Sequence, residues 1–173
     1  MKNKFSKIII FGFVISFLSI FWLGLKKDNN YNTKDLTGGK ITNFQLRSIY
    51  NSDLITEENL KKNQFTLINF FASWCAPCRL EHKYLVKLVN QKKNIKILGI
   101  NFKDKKNNAK TFLNELGDPY YFVAEDTDGK ASILFGIYGI PESILIDKEL
   151  TVIKKIIGPI DQEKLEEIFR LIK

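Results

Sequence analysis

The sequence predicts an α/β fold, a central mixed sheet flanked by helices, preceded by an apolar N-terminal helix. Three observations predict it. Residues 65–72 and 95–102 are apolar runs of strand length, the pattern of strands buried on both faces. Stretches with apolar residues at helical spacing alternate with them. The only two cysteines of the 173 residues stand at the junction of the first such strand and the first such helix, as Cys75-Ala76-Pro77-Cys78.

The elements follow in order. Residues 8–25 carry no charge and follow Lys2, Lys4 and Lys7. At 1.5 Å per residue this run reaches roughly 27 Å, enough for a bilayer core. A cleaved signal peptide has a similar layout, but Phe21-Trp22-Leu23-Gly24-Leu25 offers no small-residue cleavage site, and Trp22 suits a membrane interface. An uncleaved transmembrane anchor is therefore expected. The basic bias of its N-terminal flank puts that end in the cytoplasm and the remainder outside, on the periplasmic side in a bacterium. Residues 28–35 are polar and read as a tether. The expected division is 1–35 for cytoplasmic end, anchor and tether, and 36–173 for the folded domain.

Within the domain, residues 41–46 alternate as a short strand with Phe44 and Leu46 inward. Residues 48–62 are polar, with Thr56 placed to cap a turn containing Glu57, Glu58 and Leu60. After the strand at 65–72, a helix over 76–89 presents Leu80, Tyr84, Leu85 and Leu88 as its apolar face. A strand at 95–102 precedes a helix at 107–116, ended by Gly117. Residues 120–124 form a short strand, and 126–137 a turn and a helix. Strands at 143–147 and 151–157 make a hairpin, and Asp161 caps a last helix.

The net charge of +8 invites a nucleic-acid reading. No basic run interleaves with aromatics, however, and Lys103, Lys105, Lys106 and Lys110 read as a solvated face. No nucleic-acid partner is expected; weak attraction to anionic lipid headgroups is. Zinc is disfavoured by ligand count, since the chain adds only His82 to its two cysteines. The two thiols therefore point to redox chemistry. The first turn of a helix presents unpaired N–H groups and the positive end of the dipole, which stabilise a thiolate at Cys75. Pro77 suits that turn because its missing N–H has no intrahelical partner to lose. Cys78, one turn in, is close enough to close a disulfide. Glu81 lies three residues beyond Cys78 on the same helical face and is the candidate base for it. His82, turned about 100° from Glu81, is expected at the surface.

A strand feeding a Cys-x-x-Cys at a helix start is the layout of a thioredoxin-type redox site. From Trp74 onward the chain more narrowly resembles the membrane-anchored DsbE/CcmG family, the thiol-disulfide reductases of cytochrome c maturation. The residues that carry the resemblance are Ala72-Ser73-Trp74-Cys75-Ala76-Pro77-Cys78-Arg79-Leu80-Glu81-His82, Gly99-Ile100-Asn101-Phe102-Lys103-Asp104, Leu116-Gly117-Asp118-Pro119-Tyr120, Asp128-Gly129, Gly136-Ile137-Tyr138-Gly139-Ile140-Pro141-Glu142-Ser143 and Ile146-Asp147-Lys148. The chain departs at Ile41-Thr42-Asn43-Phe44, where the family carries prolines, at Phe71, a common Trp, and at Ser143, a common Thr.

The resemblance implies a thioredoxin-like fold and a redox-active Cys75–Cys78 disulfide with no further cofactor or metal. It implies Cys75 as nucleophile, Cys78 as resolving thiol and Glu81 as base. Asn69 stands where thioredoxins carry a buried Asp, so the acid has moved to Glu81. Pro141 is implied to be cis, with the Ile140 backbone free to pair with an extended substrate. Trp74 is expected over the disulfide. Pro77, Tyr138 and Glu142 are expected to line the same substrate groove, which gives it an acidic patch. The implied partners are apocytochrome c or haem-ligation thiol proteins, and a membrane electron donor of the DsbD/CcdA type. The implied location is the bacterial inner membrane, single-pass, with the catalytic domain periplasmic. A general periplasmic thiol-disulfide enzyme and a non-catalytic assembly chaperone are the rival readings.

Overall fold

The computed structural model describes residues 2–25, 37–41 and 43–173. The expected tether at 28–35 lies outside these. Two compact units are distinguished, Met1–Thr33 and Lys34–Lys173.

The first unit contains helix α1, Lys2–Leu25. The apolar side chains at consecutive positions Ile8, Ile9, Ile10 and Phe11 are all exposed. Consecutive residues point in directions about 100° apart, so the helix is apolar on every side rather than on one stripe. Among the described residues, no helix is long and apolar enough to cross a membrane.

The second unit has a thioredoxin-like fold. Its elements in chain order are β1 Gln45–Arg47, β2 Leu54–Thr56, α2 Glu57–Leu60, β3 Phe65–Phe71, α3 Ala76–Gln91, β4 Ile95–Phe102, α4 Lys106–Leu116, β5 Phe122–Asp126, α5 Lys130–Leu134, β6 Glu142–Asp147, β7 Val152–Ile157 and α6 Gln162–Leu171. The main sheet has the order β5-β4-β3-β6-β7. β3 and β5 run parallel to β4, and β6 runs antiparallel to both β3 and β7. The sheet is therefore mixed, as expected, and β3 is its central strand.

Strand alternation sorts the core onto two faces. Ile68, Phe70, Leu98, Ile100, Ile144 and Ile146 pack with Phe44, Leu46, Ile55 and Phe135 on one face. Leu67, Ile97 and Leu145 pack with Leu85 and Leu88 of α3 and Leu165 and Ile168 of α6 on the other. A third cluster joins Phe71, Cys75 and Cys78 to Phe112 and Leu113 of α4. Asp161 caps α6 by accepting from Lys164 N at 2.9 Å.

Several elements depart from the sequence expectation. The small hairpin partner β2 lies within the stretch 48–62 expected to be polar; only Ile55 of its three residues is fully buried, too short a signal for strand periodicity. The strand expected at 120–124 starts at Phe122, because the Asp118 side chain accepts from Tyr120 N (2.9 Å) and bends the chain before it. Leu80 does not belong to the apolar face of α3. It is 70% exposed, because the buried row runs through Cys78, Glu81, His82, Leu85 and Leu88. Leu80 lies about 200° around the helix from Cys78.

Candidate active site

The site forms where β3 ends and α3 begins. The Ala72 carbonyl accepts from Cys75 N at 3.2 Å, which turns the chain out of the sheet. Asp104, just beyond the parallel neighbour β4, accepts from Ser73 N at 2.8 Å and fixes the same loop. Cys75 is the N-cap of α3 in extended conformation, and its Sγ accepts from Cys78 N at 3.2 Å. That N–H is one of the orphan donors of the helix end, so the first turn itself solvates the Cys75 sulfur. Cys75 and Cys78 are joined as a disulfide. Cys75 is 4% exposed and Cys78 1%, so the more accessible sulfur is that of Cys75. Pro77 lies exposed in the first helical turn.

Glu81 sits one turn further along α3 and is 1% exposed. Its carboxylate faces the sheet. Oε1 accepts from Asn69 Nδ2 at 2.9 Å, and Oε2 accepts from the backbone N–H of Ile160 at 2.8 Å. Burial pushes the carboxyl up to about 7, against the pull of those two donors and of the Lys164 charge. Two N–H donors without a full counter-charge hold a group poised to exchange a proton near neutrality, which is what a base for a thiol requires.

The loop before β6 completes the site. The Ile140–Pro141 peptide bond is cis, as the resemblance implies. Pairing of Phe70 with Glu142 puts Pro141 level with the end of β3, and Ile140 packs against the cluster that contains both cysteines. Tyr138 is exposed on this loop.

Two expectations need correction, those for Glu142 and His82. Glu142 is not part of an open acidic patch. It is buried, its Oε1 accepting from Tyr138 N (3.2 Å) and Gly139 N (3.1 Å), its Oε2 3.1 Å from Lys155 Nζ. Lys155 in turn donates to the Gly136 carbonyl and lies 5.3 Å over the Tyr138 ring. The pair braces the loop from beneath. His82 is not at the surface; it is 2% exposed, its Nε2 2.7 Å from the Gly117 carbonyl and its ring edge-on to Phe112. α4 covers that flank of α3, and burial lowers the imidazole pKa. Trp74 turns toward β4: its Nε1 donates to the Lys103 carbonyl at 3.3 Å and its ring neighbours Phe102, leaving it 59% exposed.

The structure also brings in residues that carried no role in the sequence. Tyr120 donates its hydroxyl to Asn69 Oδ1 at 2.8 Å, and Asn69 Nδ2 also reaches Ser143 Oγ at 3.0 Å. A signal for Tyr120 existed in Gly99, a lone glycine in an apolar strand, which marks a close approach by another group. Among the described residues, no group of three or more His, Cys, Asp or Glu is placed to hold a metal ion.

Comparison with known proteins agrees with this geometry. The Redoxin family matches residues 27–172. The thiol:disulfide interchange protein DsbE of Pseudomonas aeruginosa is 37% identical over 145 residues, covering 83% of this chain and 79% of that protein. The chain belongs to the DsbE/CcmG family. It is therefore a thiol:disulfide oxidoreductase, whose partners carry thiols or disulfides. The interchange protein CycY of Rhizobium leguminosarum bv. viciae is 46% identical over 106 residues, 61% of this chain and 56% of that protein, so the match spans about half of CycY. Among solved structures, a DsbE of Chlorobium tepidum superposes with a TM-score of 0.69 at 26% identity, covering 79% of this chain and 98% of that one.

Proposed function

We propose that the chain is a disulfide reductase of cytochrome c maturation, tethered to the inner membrane by its uncharged N-terminal run at 8–25 with the catalytic domain on the periplasmic side. The observation that carries the reductase reading is the Glu81 carboxylate, buried one turn beyond Cys78 and hydrogen-bonded on both oxygens.

In the reduced enzyme the Cys75 thiolate attacks one sulfur of a substrate disulfide. That S–S bond breaks, the other substrate sulfur leaves as a thiolate and takes a proton, and a Cys75–substrate mixed disulfide forms. Glu81 accepts the proton of Cys78. The Cys78 thiolate attacks Cys75 Sγ, the Cys75–substrate bond breaks as the Cys75–Cys78 bond forms, and the second substrate sulfur leaves as a thiolate that takes up the proton held by Glu81. Two electrons have passed from the cysteine pair to the substrate. A membrane dithiol donor of the DsbD/CcdA type restores the pair. Apocytochrome c and haem-ligation thiol proteins are the proposed substrates, entering beside cis-Pro141, where Ile140 offers its backbone and Trp74, Pro77 and Tyr138 offer exposed side chains. Glu142 serves this groove from below, as a brace. The anchor is supported by the uncharged run at 8–25 behind three lysines.

Trapping tests the reading. Full-length Cys78→Ser expressed in its native membrane stalls as the Cys75 mixed disulfide, whose partner is identified by mass spectrometry. An apocytochrome or a haem-ligation thiol protein supports cytochrome maturation. A broad set of secreted proteins replaces it with a general disulfide enzyme, and no disulfide-linked partner favours the chaperone.

A further inference from the structure

Glu81 is addressed by a chain of side chains that the thiol chemistry does not itself call for. In the sheet register Asn69 of β3 stands between Gly99 of β4 and Ser143 of β6, so these three form one row across the face that α3 and α6 cover. Tyr120 lies over the Gly99 end of the row. A Cβ at Gly99 would meet the Tyr120 ring at 2.8 Å, so the missing side chain is what admits the ring. The ring stacks on Phe71 with centroids 4.9 Å apart, and the His82 ring lies edge-on with its centroid 6.1 Å away. His82 holds the Gly117 carbonyl, which fixes the turn that delivers Tyr120. Tyr120 as a residue is half-buried, and its hydroxyl reaches inward to the fully buried Asn69.

The Asn69 amide has a donor end and an acceptor end, and the two orientations are not equivalent. As found, Nδ2 faces Glu81 and Oδ1 accepts from Tyr120. Turned over, the carbonyl oxygen would face the carboxylate and repel its charge. The Tyr120 O–H would then point at an NH2 group and lose its acceptor, a costly loss for a buried donor. Ser143 Oγ accepts from Nδ2 in the observed orientation, and the ionised carboxylate, which only accepts, favours the same one. Tyr120 adds the donor on the Oδ1 side.

We propose that Tyr120 is a positioning residue for Glu81: its hydroxyl locks the Asn69 amide so that an N–H, never the carbonyl oxygen, faces the carboxylate. The lock favours the ionised carboxylate and so sets the pH at which Cys78 can be deprotonated. The inference rests on Glu81 as base for Cys78. The other groups around the carboxylate are accounted for. Lys164 of α6 adds positive charge, and its Nζ holds the Ile157 and Pro159 carbonyls at 2.9 Å, which presents Ile160 N. Asp118 acts on Tyr120, and His82 is engaged by Gly117.

Tyr120→Phe removes the hydroxyl and keeps the ring stacking. Full-length reduced protein in detergent micelles is mixed with an aryl disulfide that releases thionitrobenzoate. The first release reports attack by Cys75, the second resolution by Cys78, each followed by stopped flow from pH 5 to 9. In Tyr120→Phe the midpoint of the second step moves up by about one pH unit, so that the rate falls about ten-fold below the midpoint and the alkaline plateau is kept. In an Asn69→Ala background, Tyr120→Phe moves the midpoint no further. An unmoved midpoint, or an equal loss at every pH, overturns the inference. Glu81→Gln separates the two levels. If it leaves the acidic limb of the second step in place, Glu81 is not the base and the underlying reading fails. If it abolishes that limb while Tyr120→Phe shifts nothing, only the role of Tyr120 fails.

Discussion

Asn69 and Glu81 share a buried hydrogen bond, Nδ2 to Oε1 at 2.9 Å, that ties the central strand to the catalytic helix. It holds a titratable group in the buried interior, which makes the carboxylate costly to ionise and ties folding to pH.

The sign of that linkage is opposite to the usual carboxylate case. The Glu81 carboxyl is pushed up from 4.5 to about 7. The folded protein therefore keeps a proton that the unfolded chain gives up. The stabilisation is complete below about pH 4.5 and is lost as pH rises to about 7, on the order of 3 kcal/mol in all. Glu81→Gln carries no such linkage. The unfolding free energy of Glu81→Gln minus that of the wild type, measured by denaturant titration of the oxidised proteins, grows from pH 4.5 to 7. His82 acts in the other direction, because its lowered pKa destabilises the fold as pH falls below about 6.5. Both proteins carry it, so the difference between them isolates Glu81.

Gly99→Ala tests the close approach of Tyr120. The added methyl meets Cδ1 of the ring at 2.8 Å. The expected cost is about 1–3 kcal/mol, the range for overpacking a core, read as a lowered midpoint of chemical unfolding. A neutral substitution would show that the ring can move freely, and that Gly99 is not what seats it.

Lys155→Met tests the brace beneath the Tyr138 loop. Glu142 and Lys155 are both buried and lie 3.1 Å apart. Removing one partner leaves a buried charge without its counter-ion, at a cost of about 3–5 kcal/mol. The pairwise change Glu142→Gln with Lys155→Met costs clearly less than Lys155→Met alone. Equal costs for single and double variants would mean that the two charges are not coupled.

Much of the architecture was legible in the sequence because it rests on periodicity. The buried strand at 95–102 coincides with β4, and α3 and α4 start within a residue of expectation. The cysteine pair was legible because its neighbours Trp74 and Pro77 are contiguous with it. What escaped were relations between distant segments. His82 was read as exposed from its angle to Glu81, yet α4 covers that side of α3, which no local pattern reveals. Glu142 was read as an open acid because its counter-ion Lys155 lies on β7, thirteen positions away. Asn69 was recognised as unable to titrate, but its service as an oriented amide depends on Tyr120, 51 positions downstream.

The measurement that bears most directly on the central claim is the equilibrium reduction potential of the Cys75–Cys78 pair, titrated against glutathione or dithiothreitol. Cys75 is nearly buried, and the only hydrogen bond described to its sulfur comes from Cys78 N. A disulfide that is the favoured form of the pair is the condition for a donor of electrons. A potential at or below about −200 mV, toward the thioredoxin end of the range, is the result expected of a reductase. A potential near about −120 mV, at the DsbA end, would contradict it and make the protein an oxidant.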